Sequence, residues 1–312
     1  INDFDVIINC AIQKSGNTDN EIIENNKKYV DNLLEYTRSN NSKLIDLSSM
    51  AVLPPRVTSQ TFQNKFEYSL EEDWYSISKI ETEKILLSSK HENVNSVSIR
   101  AGIVYGPHMH WSNIAFNRTM NHEVVVPSIE NSICHAIHVD DLCQLIIHLM
   151  NYEGSTPKII YGINPEKVTW HDFYHLHGLY SNFEEGYVRM LPAELINKII
   201  KVKGDELMLP GIKRRIIDFF RSLNRYLRFS ELPPINRIVS FLKKLNKGLI
   251  DSEVRDRTKP SFFPNEFELE LYQTNSTCDE NLEELFNFKY SIPFKVGVKN
   301  TCNWFKYQIH KS

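Results

Sequence analysis

The sequence predicts an α/β protein: a parallel sheet wound on both faces by helices, followed by a smaller C-terminal α+β lobe. Two observations carry this. Short apolar, β-branched runs of strand length recur at 4–11, 43–52, 94–107 and 158–164. Helix-patterned segments at 19–41, 74–90 and 135–150 lie between them. Strands alternating with helices at this spacing are the signature of parallel β–α units. Burial on both faces accounts for strand runs that polar residues barely interrupt.

The elements follow in order. "FDVIINCA" (4–11) is the first strand. From Asp19 to Asn41, the side chains of Ile22, Ile23, Tyr29, Val30, Leu33 and Leu34 share one helix face. "KLIDLSSMAV" (43–52) is a strand that ends in small polar residues. Residues 53–73, punctuated by Pro54-Pro55, read as a loop. Trp74 to Lys90 is a helix, and "VNSVSIRAGIVYGP" (94–107) a strand with a turn at Gly106-Pro107. "HAIHVDDLCQLIIHLM" (135–150) enters a helix that Asp140 or Asp141 is placed to cap. "KIIYGIN" (158–164) is the fourth strand. Residues 189–250 are helical, basic and amphipathic, with thirteen Lys/Arg against four Asp/Glu between Lys198 and Lys247. The tail, 267–307, reads as a strand, a short helix and a final helix.

Bulk properties exclude several classes. The chain has 312 residues, 41% apolar and 24% charged, within the globular range. A net charge of -3 gives no overall attraction to nucleic acid or anionic membrane. Five scattered cysteines without a C-x-x-C pair argue against a disulfide framework or a zinc site. No signal peptide and no membrane-length apolar run is seen, so a soluble, cytoplasmic protein is expected. The chain starts at Ile1, almost directly inside a strand, which suggests a product lacking its natural N-terminus.

The chemistry concentrates in "DWYSISKIETEKIL" (73–86). Tyr75 and Lys79 stand at i,i+4, on one helix face. A free tyrosine, with a pKa near 10, is a poor base at neutral pH. A nearby ammonium favours the phenolate and prepares it for proton exchange with an alcohol or carbonyl. Ser49 ends the second strand, at the carboxyl edge where parallel sheets bind ligands. Its hydroxyl is suited to hold a substrate oxygen beside the phenol. The spacing alone is weak, because Tyr and Lys share many helix faces. The order is rarer: a strand ending in serine, a loop, then Y-x-x-x-K opening a helix.

With these residues in view, the chain resembles an extended short-chain dehydrogenase/reductase of the NAD-dependent epimerase/dehydratase family. "VIINCA" is similar to the family's V-I-H-L-A-A strand, and "NKKYVDNLLEY" (26–36) to N-V-x-G-T-x-N-L-L-E. "LIDLSSMAV" resembles the serine strand and "YSISKIETEKIL" the Y-x-x-x-K helix. "IRAGIVYGP" resembles L-R-P-G-N-V-Y-G-P, and "IHVDDL" resembles V-H-V-D-D. "YGINPEKVTWHDF" and "NFKYSIPFKVGVKNTCNWF" are similar to two later motifs. The eight stretches run in family order over most of 4–305. The resemblance implies a partial Rossmann-type NAD(P)-binding domain at 1–165, with its first strands missing. A substrate lobe at 166–312 would carry the basic insert at about 189–250. It also implies Tyr75 as general acid/base and Ser49 as the group bonding the substrate oxygen. Lys79 would lower the tyrosine pKa and hold the nicotinamide ribose. Cys10, Ala11, Lys14 and Asn26 would border the cofactor, NAD or NADP, with Ala101 and Gly102 beside its nicotinamide. The implied activity is that of an epimerase, dehydratase or reductase acting on a nucleotide sugar.

Departures from the pattern qualify this. No G-x-x-G-x-x-G turn occurs among the eleven glycines, although that turn's backbone N–H groups hold the dinucleotide pyrophosphate. An N-terminally truncated family member is therefore expected, with poor or no NAD(P) binding and an exposed apolar edge on its first strand. Ile103 replaces the Asn of L-R-P-G-N, Leu53-Pro54 replaces Tyr-Gly, and "CHAIHVDD" lacks an Arg. These leave open a reductase of a non-sugar alcohol or ketone, or a non-catalytic scaffold. His171 and His175 stand at a metal-compatible i,i+4 spacing, but a surface helix opened by Thr169 is the preferred reading. His108 and His110 follow the Gly-Pro turn near the family's substrate cleft. The basic segment is read as a solvated lobe, a phosphate-binding element or a weak membrane-surface contact. The expected partner is a small-molecule substrate, with a homodimer left open and no nucleic acid.

Overall fold

A computed structural model of the chain describes residues 4–16, 18–69, 73–129, 132–182, 188–206 and 261–311. It is a mixed α/β protein with parallel sheets. The main sheet has the order β1-β2-β3-β7, formed by Val6–Asn9, Lys43–Ser49, Ser96–Ala101 and Ile159–Gly162, all parallel. Helices α1 (Asp19–Ser39) and α3 (Trp74–Leu86) cover one face, and α5 (Val139–Asn151) covers the other. The strand alternation fits: Leu44 packs with Val30, Leu34 and Leu86, whereas Ile45, Val97 and Ile99 pack with Leu142 and Leu145. Among the described residues β1 pairs on one edge only, and Phe4 and Ile8 near it are exposed. That agrees with the expected apolar edge.

Two further parallel sheets follow. Ile103–Tyr105 (β4) pairs with Ala136–His138 (β6). Glu123–Pro127 (β5) lies between Val188–Leu191 (β8) and Ser261–Phe262 (β9). A second core forms here around Trp170, Phe173, Tyr174 and Tyr272. It joins α4 (His110–Asn121) and α6 (Trp170–Asn182) to the tail helices. The tail helices are α8 (Glu266–Tyr272), α9 (Leu282–Phe286) and α10 (Phe294–Lys311). Two more helices complete the described elements: α2 (Ser59–Gln63) and α7 (Ala193–Glu206).

Several expectations are corrected. The run at 94–107 is two strands in two sheets, broken at Gly102. A Cβ there would collide with the His135 carbonyl oxygen, and Ile103 N donates to that same oxygen at 2.7 Å. The close backbone crossing demands glycine and turns the chain from β3 into β4. Helix α5 is capped by neither aspartate. His138 Nδ1 accepts from Asp140 N at 3.2 Å, while Asp141 accepts from the backbone and hydroxyl of Ser291, each at 2.9 Å. The loop at 53–73 contains α2, which a Thr58–Thr61 capping box stabilises. Residues 266–272 form helix rather than strand. An Asn265–Glu268 capping box starts it, and Glu268, Leu269 and Tyr272 are buried at helical spacing. Helix α6 is not a surface helix, because Phe173, Tyr174 and His177 are fully buried. The predicted helix from 74 ends at Leu86, and a 3-10 turn at Ser89–His91 follows. Most of the basic segment, 207–250, lies outside the described residues, and with it the phosphate-binding and membrane-contact readings. Among those described, no helix is long and apolar enough to cross a membrane.

Two expectations for stability follow from this packing. Gly102→Ala should cost about 1–3 kcal/mol or more, read as a lower urea midpoint, because neither backbone can yield freely. Acid should also unfold the protein from neutral histidines. His135 Nε2–H donates to Ser276 O at 2.9 Å and His177 Nδ1–H to Phe173 O at 2.7 Å; burial lowers both to about 4. A pKa depressed below the unfolded value of about 6.5 means stability is fully present above pH ~6.5 and drains as pH falls toward ~4. The loss is on the order of 3 kcal/mol per histidine. Urea midpoints between neutral and mildly acidic pH test it, and His177→Gln should flatten part of the slope.

Candidate active site

The site forms where β2 ends and α3 begins. Asp73 starts the helix, its Oδ1 accepting from Tyr75 N and Ser76 N, each at 3.0 Å. This cap places Tyr75 in the first turn, half-buried beside Trp74. Ser49 closes β2, in register with Ala101 at the end of β3, and its Oγ accepts from Ala51 N at 3.1 Å. The Tyr75 phenol lies close enough to Ser49 for that hydroxyl to bear on its titration. Burial pushes the phenol above its ordinary pKa, the nearby Ser49 opposes that, and the Asp73 carboxylate adds to it.

Lys79 lies one turn along the same helix, but its ammonium turns inward. Nζ donates to Leu47 O at 2.6 Å, and the side chain is buried. Burial lowers its pKa, while Asp46, Glu83 and Cys10 pull it back up. The groups acting on Tyr75 are thus Ser49 and Asp73, and those acting on Lys79 lie deeper in the sheet. The fold brings the serine and the tyrosine together, and it brings the lysine to the same strand by its own route.

The other predicted residues divide. Cys10, Ala11 and Lys14 are exposed on the loop that leaves β1. Burial, Asp46 and Cys143 raise the Cys10 thiol, so it is neutral. Asn26 is buried and occupied: its Oδ1 accepts from Gln13 N at 2.8 Å, and its Nδ2 donates to Gln13 O and Ser78 Oγ at 3.2 and 3.3 Å. It holds the loop after β1 against α3. Ala101 is buried next to Ser49, and Gly102 is explained by the His135 crossing. Asn9, Ala11, Asn26, Asp46, Ser78 and Lys79 line a cavity of only about 10 Å³, room for about one water. His108 takes a left-handed φ of 65° and packs against Trp304 of α10, with ring centroids 4.3 Å apart. Ile103 and Leu53 are core residues.

Three contributors were missed in the sequence. Asp73 precedes the helix as an ordinary cap. Glu83, one turn beyond Lys79, is fully buried and meets Arg100 of β3 at 2.7 Å. Asp46 lies inside the strand "LIDLSS". A charged residue amid an apolar strand was the available signal for Asp46, and the i,i+4 step from Lys79 was the signal for Glu83.

The donor set at this edge suits a polyhydroxylated group. It offers two hydroxyls and an ammonium that spends one of its three N–H bonds on Leu47. The ribose end of a dinucleotide fits that set, whereas no glycine-rich turn is present for the pyrophosphate.

The family model described as "NAD dependent epimerase/dehydratase family" matches residues 1–163, more than half of the chain. No curated protein matches it in sequence. Among solved structures, it is similar to Pal from Bacillus thuringiensis (TM-score 0.60, 13% identity, 98% of this chain and 77% of that one). It is also similar to the UDP-glucose 4-epimerase of Thermotoga maritima with UDP-glucose (0.59, 13%, 98% and 78%). The UDP-glucuronic acid 4-epimerase of Bacillus cereus, in complex with UDP-glucuronic acid and NAD, is a third (0.54, 12%, 98% and 76%). Identities this low show shared fold. The family match over residues 1–163 means that this chain belongs to the NAD-dependent epimerase/dehydratase family.

Proposed function

We propose that the chain carries out acid/base chemistry of the epimerase/dehydratase type on a nucleotide sugar, coupled to hydride transfer with NAD or NADP. The observation that carries this is the placement of Ser49 at the carboxyl end of β2 beside Tyr75 in the first turn of α3, with Lys79 one helical turn away. A substrate hydroxyl placed between Ser49 and Tyr75 can give its proton to the Tyr75 oxygen once that group is a phenolate, while its C–H hydride leaves for the cofactor and Ser49 holds the same oxygen as it becomes a carbonyl. When bound, NAD(P) supplies the hydride acceptor or donor. Lys79 and Tyr75 would hold its ribose hydroxyls, with Cys10, Ala11 and Lys14 along the loop beside it and Ala101 and Gly102 at the nicotinamide end.

The nucleotide-sugar substrate is supported by the bound ligands of the similar epimerases. A second reading is a reductase of a non-sugar alcohol or ketone. Ile103 and Leu53 favour it, since both pack in cores where the family pattern has polar or smaller residues.

Two measurements test the proposal. Tyrosinate difference spectra, with Tyr75→Phe as the blank, should find Tyr75 neutral at pH 8 and titrating above 10 in the free protein. Ser49→Ala should raise that midpoint further; an unchanged midpoint would break the Ser49–Tyr75 link. In the second, whatever rise in melting temperature millimolar NAD or NADP gives, Lys79→Met should abolish it. Tyr75→Phe should cut turnover of a UDP-hexose by about 10²-fold or more. A thermal shift that persists in full in Lys79→Met, or full turnover in Tyr75→Phe, would overturn the proposal.

A further inference from the structure

A polar row crosses the middle of the main sheet beneath Lys79. Asp46 of β2 stands between its register partners, Asn9 of β1 and Ser98 of β3. All three are buried, Asp46 to 2% exposure. Asn9 Nδ2 donates to Asp46 Oδ1 at 2.6 Å, and Ser98 Oγ donates to Oδ2 at 3.4 Å. Two neutral donors do not cancel a charge, and an unpaired carboxylate inside a sheet is costly.

The countercharge can be found by elimination among the described residues. Arg100, on the same face two residues beyond Ser98, is committed to Glu83, with its Nε at 3.1 Å and its Nη2 at 2.7 Å from the carboxylate. Lys65 pairs with Glu280. Lys43, also in β2, donates to the carbonyls of Leu149 and Tyr152 at the end of α5, on the opposite face. Lys79 remains. It lines the same small cavity as Asp46, and its Nζ is bonded to the carbonyl of Leu47, the next residue along β2.

We propose that Asp46 is a positioning residue for Lys79: its carboxylate is the counterion that draws the ammonium down onto β2 and keeps it charged there. The inference rests on the reading of Lys79 as the catalytic lysine. The charged and titratable groups that face Lys79 are Asp46 from β2, Glu83 from α3 and Cys10 from the loop after β1. Arg100 offsets Glu83 and the Cys10 thiol is neutral, so Asp46 is the net negative charge left to oppose the cost of burial. The electrostatics of Asp46 agree: burial raises its carboxyl pKa, and Lys79 is the largest influence lowering it.

The test is a side-chain titration of the whole chain, with no cofactor or substrate present. Lysines are isotope-labelled at Cε, and the Lys79 resonance is assigned by its loss in Lys79→Met. Asp46→Asn keeps the shape, accepts from Asn9 and can donate to Ser98, so it removes the charge and little else. The Lys79 midpoint should fall by about one pH unit or more, a tenfold loss of proton affinity, while the other lysines keep theirs. A midpoint that stays put overturns the proposal, because a purely structural role for Asp46 would not move it. Should Asp46→Asn fail to fold, the double variant Asp46→Asn/Lys79→Met decides the matter. With neither charge buried it should fold, and its failure would overturn the proposal equally. The two readings separate cleanly. Full turnover in Tyr75→Phe with the titration shift intact sinks the catalytic reading alone. Lost turnover with an unmoved midpoint sinks only the role of Asp46.

Discussion

The arrangement depends on the ion pair between Arg100 and Glu83. Both side chains are fully shielded from water, and the guanidinium grips the carboxylate through Nε and Nη2. Ser48 Oγ adds a bond to Glu83 at 2.6 Å, and Arg100 reaches on to Lys65 O at 2.6 Å and Tyr161 Oη at 3.3 Å. One pair therefore ties α3, β2, β3 and β7 into a single block. Removing either partner would strand a buried charge, a penalty of about 3–5 kcal/mol. The consequence for function is positional. Glu83 fixes the rotation of α3 on the sheet, and Lys79 and Tyr75 lie one and two turns back along it.

Most of the sheet and the site were legible in the sequence because they rest on local signals. Short apolar runs marked β1, β2 and β7, and a helical apolar face marked α1. The Ser49, Tyr75, Lys79 order survived because strand end, loop and helix start are all written in adjacent residues. What was not legible depends on distant chain. Gly102 looked like a family glycine in one long strand, and only the crossing by His135 shows why the strand must break there. The alternating apolar residues of 266–272 imitate a strand, yet Asn265 and Glu268 cap a helix. Nor could the i,i+4 spacing of Tyr75 and Lys79 show which way the lysine would point. That is set by Asp46 and Leu47, residues about thirty positions away that the α3–β2 packing brings beneath it.

That orientation bears on how the pair can work. In the structure Tyr75 is tuned by Ser49 and by burial, and Lys79 by the interior of the sheet. For the ammonium to lower the tyrosine pKa, Nζ must leave the Leu47 carbonyl or share its remaining donors outward. Giving up a charge-assisted hydrogen bond costs about 1.5–3 kcal/mol. A polyhydroxylated ligand that offered two acceptors at the end of β2 would offset that cost. On the proposed reading, ligand binding and activation of Tyr75 are therefore one event. The same logic explains why Asp46 is tolerated in the sheet. A lysine held inward and charged is ready to swing, whereas one left uncompensated at this depth would lose its proton and with it the means to stabilise a phenolate.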